Sequence, residues 1–555
     1  MRSIEKMGYF PFLFVVINMC VTLAHADSSN WQSHWAIPPG YFLEIDSTGY
    51  SVPVAIAMVP NPGSAPDSPL YYVAELGGRI AVVRNDRKVE TFADNFYTLN
   101  RSAEMPDLGG VIGLTGLCLD EDTGYLFATY VHDVEGGRYN GITRFATEPR
   151  TFSLRPAEQF DIHKPFMLGD SEFTRLPYGH QIGQCQIIDE KLYVGIGDGE
   201  LTHRSRSDQS SFGKIVWMQL DGSPVRQSQL LDQGEFTQAS DANLLASYIF
   251  ASGLRNPFGQ THVGDNIVVA DNGPGVDRVL TVRKNQDYLY DGSDASIATN
   301  TMVLYSPAKG TANIAFYPED AASNITDLEN NLLVVLSGVP ETYIEEEPAE
   351  ISAFEVEVDS AQVMSRPRTL VKYVGNEMQV LSSVAIGNDG IYFAPVYGEN
   401  AIPGISNVYR LTWAPEKSYP TSIGQYKNAR AIMRNYGCRG CHNVFGDGGN
   451  VAPTLNATHL RLRNSERLAS AEYETQLKQM IARDRDSSDN RARQRVLNAA
   501  GDNRLSVWTQ EKILNPTFDN PESVMPLLGV SKKEAKVIAR FLLNDKRKPN
   551  RGRSP

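Results

Sequence analysis

Six short runs of apolar, strand-forming residues recur along this sequence, and they constrain its fold more than any other feature. They are Tyr71-Tyr72-Val73-Ala74, Leu126-Phe127-Ala128-Thr129, Leu192-Tyr193-Val194-Gly195, Ile267-Val268-Val269-Ala270, Leu332-Leu333-Val334-Val335 and Ile391-Tyr392-Phe393-Ala394. Their starts lie 55, 66, 75, 65 and 59 residues apart. Each run is continuous rather than alternating, with Gly or Asp close by, which is the pattern of a strand covered on both faces. One such sheet cannot cover its own two faces and must stack on neighbours, and the long period leaves room for several strands per unit. Residues 27–420 are therefore predicted to form an all-β six-bladed propeller. Helical periodicity is scarce there, and a pair of β-sandwiches would not need six similar centres.

Beyond residue 420 the chain changes character. Residues 421–555 hold 24 Lys and Arg against 13 Asp and Glu, whereas residues 27–420 hold 26 against 51. An acidic body with a basic C-terminal part argues against a simple nucleic-acid binder. It suggests two domains that meet different partners or attract each other. The basic part contains Cys438-Arg439-Gly440-Cys441-His442, the covalent attachment sequence of haem c. Its two thiols add to the haem vinyl groups, and the adjacent imidazole becomes the proximal iron ligand. Half of a zinc site or a redox dithiol is the alternative, but no second Cys/His pair follows. Pro453, after a Gly-rich loop, could offer its carbonyl to the ring N–H of His442. Met525-Pro526 precedes residues 531–543, an amphipathic helix opened by a Ser531…Glu534 capping box. Met525 is thus the candidate second axial ligand of the haem iron. Met480 lies inside a helical segment, and His459 is a rival. Residues 427–545 resemble class I cytochrome c, a small all-α fold holding one covalent haem. Within them, residues 483–495 read as an inserted, solvated surface, and residues 546–555 form a basic tail.

The amino terminus reads as an export signal. Arg2 and Lys6 precede a largely apolar stretch over residues 9–24, and Ala24-His25-Ala26 gives a small-x-small cleavage site. The stretch is interrupted by Pro11 and Asn18 and falls short of the ~20 residues that span a bilayer. A periplasmic location with a mature chain starting near Asp27 follows, without a stable membrane span. Export also makes a Cys118–Cys185 disulfide possible, with two separately buried thiols as the alternative.

Three stretches of the body resemble the soluble glucose/sorbosone dehydrogenase family, whose members are six-bladed propellers that use pyrroloquinoline quinone (PQQ) and calcium. They are His180-Gln181-Ile182-Gly183 with the following Leu192–Asp198 run, Gly253-Leu254-Arg255-Asn256-Pro257-Phe258-Gly259, and Asp271-Asn272-Gly273-Pro274-Gly275-Val276-Asp277. Gly113-Leu114-Thr115-Gly116-Leu117 matches more weakly. The resemblance implies that His180 is the general base taking the proton of the sugar hydroxyl. It implies that Arg255 and Asn256 contact the quinone, with Arg255 stabilising the oxygen that gains charge. The carbonyls of Gly273 and Pro274 would hold calcium. A near-neutral imidazole, a fixed guanidinium and backbone carbonyls suit those tasks. Taken alone, His180 also fits a structural histidine, Arg255 a turn salt bridge and Gly273-Pro274 a turn. The chain departs from the family pattern at Val111, at Leu336-Ser337-Gly338-Val339 and at Val380-Leu381-Ser382, where cofactor-binding polar or basic residues are expected. Lys309 and Arg278 are nearby cations that could replace them.

Two functions compete. The first is a periplasmic quinohaemoprotein dehydrogenase that oxidises a sugar or other alcohol through PQQ. It passes electrons to its own haem c and then to an external acceptor such as a periplasmic cytochrome or oxidase. The second is a propeller without quinone, acting as a binding module attached to an electron-transfer cytochrome. A propeller enzyme with another cofactor is a third option.

Overall fold

The computed structural model describes residues 31–98, 113–162, 179–225, 245–338, 348–375, 379–397 and 406–421, apart from 135–136, and residues 429–544 with short breaks. The expected export signal, the tail at 546–555, Val111 and His459 lie outside the described residues.

Residues 35–413 form six antiparallel sheets, five of four strands and one of five, each ordered radially. The innermost strands are Pro53–Met58, Leu114–Asp120, Ile182–Ile188, Pro257–Val263, Thr311–Tyr317 and Leu381–Gly387, and each touches the next around the ring. This is the six-bladed propeller that the sequence predicts. The second strands are Pro69–Glu75, Tyr125–Val134, Lys191–Ile196, Asn266–Asp271, Asn331–Leu336 and Gly390–Pro395. Every one of the six sequence runs falls on such a strand. Their lack of alternation has the expected cause, since Pro69–Glu75, Asn331–Leu336 and Gly390–Pro395 are buried at every position.

The core is divided among the blade junctions. Six apolar clusters each bridge two neighbouring blades, as where Tyr72, Val82 and Phe92 of blade 1 meet Leu126, Phe145 and Phe152 of blade 2. Burial of each such side chain stabilises by roughly 1.5–3 kcal/mol, and no blade can obtain that alone. The ring closes with an early strand, Tyr41–Tyr50, paired antiparallel to Ser406–Trp413 of blade 6. Trp35–Ala36 likewise extends blade 5 through Arg368–Tyr373. Cys118 and Cys185 are bonded to each other, joining the inner strands of blades 2 and 3 across 67 residues of sequence. That decides between the two states the sequence left open.

The inner strands approach one another so closely that one position must be glycine. A Cβ on Gly116 would fall 2.6 Å from Cα of Gln184, and one on Gly183 would fall 2.5 Å from the Phe258 carbonyl oxygen. Gly259 stands in the same relation to Asn313, at 2.7 Å. A register shift against the second strand also occurs near the start of every inner strand, the irregularity of a β-bulge.

The chain after residue 429 is helical: α1 (Ala471–Arg483), α2 (Asn490–Leu497), α3 (Gly501–Leu514) and α4 (Lys532–Asn544), with a single turn at Cys438–Cys441. No described helix is long and apolar enough to cross a membrane. The capping box at the head of α4 is formed: Ser531 N–H donates to Glu534 Oε2 at 3.0 Å, and Glu534 N–H donates to Ser531 Oγ at 3.2 Å. Ile432, Met433 and Val444 pack with Leu514, Ile538 and Leu542 in one cluster, while Tyr473, Leu477, Val496 and Phe518 form a second. The expectation of a solvated surface over residues 483–495 holds at most described positions, with Arg483, Arg485, Arg491 and Arg495 exposed, and fails at Arg493. Arg493 is 4% exposed, and its Nε donates to the Phe518 carbonyl at 2.7 Å. Arg495 pairs with Glu511 at 2.6 Å. Arg493 shares the buried side of α2 with Ala492 and Val496, which belong to the second cluster.

Candidate active site and C-terminal thiol segment

At one end of the propeller, the loops that lead into the inner strands of blades 3, 4 and 5 lie beside the ends of their second strands. His180 occupies the turn just ahead of Ile182–Ile188, with φ of +53°. A left-handed backbone is uncommon for a residue with a Cβ, and local contacts must hold it. They do. Gly199 N–H donates to the His180 carbonyl at 3.1 Å, and Gly197 N–H to that of Gln181 at 3.1 Å. The imidazole Nδ1 lies 2.6 Å from Oδ1 of Asp198, a carboxylate 2% exposed that also accepts from Glu200 N–H at 2.9 Å. Asp198 stands at the end of the second strand of the same blade, so the hairpin brings the two residues together. An ionised carboxylate on Nδ1 fixes the tautomer that leaves Nε2 as an acceptor.

Arg255 and Asn256 enter the same end from the loop before Pro257–Val263. Asp271 Oδ1 receives both of their backbone N–H groups, at 3.1 and 2.8 Å. The Arg255 carbonyl accepts from Asp198 N–H at 2.6 Å, which links the two blades, and its Nη1 donates to the Asn272 carbonyl at 3.1 Å. Asn256 is 7% exposed, and its Oδ1 accepts no hydrogen bond among the described residues. A buried acceptor left in that state costs roughly 1–3 kcal/mol unless a ligand or water supplies a donor. Tyr290 completes the group: burial raises its phenol above the ordinary value, and the neighbouring Arg255 guanidinium pulls it back down.

The turn after Asp271 carries Gly273 and Pro274. Gly273 N–H donates to Asp277 at 3.1 Å and Gly275 N–H to Asp294 at 2.8 Å. The carbonyls of Gly273 and Pro274 accept no hydrogen bond among the described residues, so both remain available to a hard cation. Among the described residues no three His, Cys, Asp or Glu side chains converge on one point.

Of the two cations that could have replaced the absent family residues, Arg278 is excluded. It is fully buried, its Nε donates to Asp271 Oδ2 at 2.9 Å, and its Nη1 lies against the carbonyls of Ser296, Ile297 and Thr299. It holds the carboxylate that holds Arg255 and Asn256. Lys309 points outward from the axis, with Nζ 3.7 Å from Glu350. A cavity of about 750 Å³ opens at the opposite end of the central channel, among Gln184, Asp189, His262 and Asp265, away from His180.

In the C-terminal region, Cys438 and Cys441 sit one helical turn apart and are partly exposed. His442 follows them, its Nδ1 2.7 Å from the Pro453 carbonyl oxygen. Met525 is half-buried in the extended segment before α4, and Met480 lies within α1. Sequence reasoning missed Asp198, Asp271, Asn272 and Tyr290. The only signal of the first was its place in Gly197-Asp198-Gly199 at the end of a buried strand.

The family model for glucose/sorbosone dehydrogenase matches residues 52–335. No curated protein matches the chain. Among solved structures, the PQQ-bound aldose sugar dehydrogenase of Streptomyces coelicolor is 16% identical, with a TM-score of 0.47, over 68% of this chain and 100% of that one. The apo form of the soluble aldose sugar dehydrogenase of Escherichia coli is 13% identical, with a TM-score of 0.47, over 67% and 99%.

Proposed function

This chain belongs to the glucose/sorbosone dehydrogenase family, and we propose on that basis that it is an exported quinohaemoprotein dehydrogenase acting on a sugar or other alcohol. One observation carries the reading. An imidazole oriented by a buried carboxylate shares one end of the propeller with a fixed guanidinium and with an amide oxygen, Asn256 Oδ1, that accepts no hydrogen bond among the described residues.

His180 removes the hydroxyl proton through Nε2, while Asp198 holds Nδ1–H and stabilises the imidazolium that forms. Arg255, braced by Asn272 and Asp271, would stabilise negative charge on a carbonyl oxygen of the quinone when that acceptor is bound. Asn256 would orient the quinone, and the Gly273 and Pro274 carbonyls would hold calcium. PQQ, when bound, is the two-electron acceptor at this site.

The C-terminal segment supplies the one-electron side. Pro453 fixes the His442 ring through Nδ1, leaving Nε2 as an iron ligand, while Cys438 and Cys441 lie one turn apart for the two thioether links. Met525, in an extended segment, is the second ligand we propose. Haem c, when bound, accepts single electrons, so each alcohol oxidised sends two electrons, one at a time, to an external carrier, and two protons leave to solvent. The Cys118–Cys185 disulfide supports an oxidising compartment such as the periplasm.

The positions of Arg278 and Lys309 favour a second reading, a propeller without quinone that binds a partner, since PQQ carries three carboxylates and Arg278 is occupied by Asp271. The test is the haem absorbance of the purified, oxidised protein after addition of PQQ, calcium and a panel of aldoses and alcohols. Quinone-dependent reduction is expected. A haem that stays oxidised, with no PQQ binding by calorimetry, refutes the dehydrogenase and leaves the binding module.

A further inference from the structure

The thiol segment does not hang free of the propeller. It rests on loop 306–309, which joins blade 4 to blade 5 at the end that carries His180. Ser306 Oγ is in hydrogen-bond contact with Cys441 Sγ. A Cβ on Gly440 would lie 2.6 Å from Cδ of Pro307 and 2.7 Å from its nitrogen, and one on Gly437 would lie 2.4 Å from the Ser306 carbonyl oxygen. The segment before α4 is seated in the same groove: a Cβ on Gly529 would fall 1.6 Å from the Pro367 carbonyl oxygen. Leu527, Leu528 and Tyr436 line, with Leu304, Tyr305 and Lys309, a cavity of only about 40 Å³. Two separate stretches of the C-terminal region, one with both thiols and one next to Met525, therefore press on blades 4 and 5, with Gly437, Gly440 and Gly529 at close approaches.

The seat is also joined to the candidate active site. Ala308 N–H donates to the Gly275 carbonyl at 2.8 Å, and Lys309 and Gly310 N–H both donate to Asp277 Oδ2, at 2.7 and 2.8 Å. Asp277 Oδ1 in turn receives Gly273 N–H, and the Asn272 carbonyl before it receives Arg255 Nη1. A short path of covalent and hydrogen bonds runs from Arg255 through residues 272–275 and 308–306 to Cys441.

We propose that loop 306–309 is a built-in dock for the Cys438–Cys441 turn, so that electrons leave the propeller through a fixed contact with the thioether side of the haem rather than through a tethered, swinging domain. This rests on the proposed quinohaemoprotein function. In each transfer the reduced site loses one electron and ferric iron becomes ferrous. An external one-electron acceptor returns the iron to the ferric state between the two transfers.

The experiment compares the haem-loaded full chain with Ser306→Leu, which wedges the contact from the propeller side, and Gly440→Leu, which wedges it from the other. Both are measured by small-angle X-ray scattering, by dye-linked sugar oxidation and by sugar-driven haem reduction, after haem content is verified. The dock predicts an expanded particle and a loss of haem reduction, with dye-linked oxidation retained. Unchanged haem reduction in both variants overturns the proposal, whether the particle expands or not. Absence of dye-linked oxidation in the unaltered protein instead refutes the dehydrogenase. Scattering then still decides the dock, because an unexpanded particle in both variants rules it out.

Discussion

Replacing Asp198 by Asn tests the chemistry at its most specific point. The substitution keeps the shape of a side chain that is 2% exposed, but one oxygen, Oδ1, serves both His180 Nδ1 and Glu200 N–H, the latter at 2.9 Å, so an amide either keeps its oxygen on both without the charge or turns its NH2 towards both. What changes is the 2.6 Å contact with His180 Nδ1. A charge-assisted hydrogen bond is lost, worth about 1.5–3 kcal/mol. In the turned orientation the amide N–H favours the tautomer protonated at Nε2, which cannot take a proton from substrate, and Glu200 N–H loses its acceptor. Loss of a positioned general base lowers kcat by about 10²–10⁴-fold, or roughly 3–5 kcal/mol in the barrier. Substrate binding need not change, so KM is expected to hold. The assay is dye-linked oxidation of an aldose panel by protein loaded with PQQ and calcium. Calorimetric quinone binding and thermal melting serve as controls. An Asp198→Asn variant that binds quinone, melts normally and keeps its kcat refutes His180 as an Asp198-oriented base.

Three further outcomes are expected. Converting Cys118 and Cys185 together to Ala releases a link across 67 residues, and loop entropy sets the loss at about 4 kcal/mol, read as a lower melting midpoint that added reductant no longer shifts. Arg278→Met leaves Asp271 as an unpaired buried charge, because both side chains are 0% exposed; a loss of roughly 3–5 kcal/mol is expected, and PQQ affinity, followed by calorimetry, falls as Arg255 and Asn256 lose their anchor. Lys214 is fully buried against the carbonyls of Arg204, Ser205 and Phe212, and burial pushes its ammonium down to about 7. Above that pH the unfolded chain binds more protons at this residue than the folded one, so its contribution to stability rises between about pH 7 and 10, by at most about 1.4 kcal/mol per pH unit. Urea titrations across that range should show the slope reduced in Lys214→Met.

The sequence by itself determined the number of blades and the place of each. A second strand is buried on both faces in a propeller, so Leu332-Leu333-Val334-Val335 and its five counterparts read as continuous apolar runs, and their sixfold recurrence at a long period points to blades. The same holds for the Ser531…Glu534 box, whose bonds are made within four residues, and for the single turn that sets Cys438 and Cys441 beside each other. His180, Arg255, Asn256, Gly273 and Pro274 could be named from the resemblance, although only the fold brings them to one end of the ring. Asp198 could not be assigned, because its task depends on a hairpin that returns it to His180 after eighteen residues. Arg278 was misjudged for a related reason: a cation in sequence shows its charge but not that Asp271 neutralises it inside blade 4. The same is true of Arg493 in α2, which looks solvated until the Phe518 carbonyl arrives from elsewhere in the chain. Tertiary structure alone decided that Tyr41–Tyr50 closes blade 6, that Cys118 reaches Cys185, and that Gly437 and Gly440 face the Ser306–Pro307 backbone. Each of these joins residues far apart in the chain, and local sequence encodes propensity and spacing but not which distant surfaces will meet.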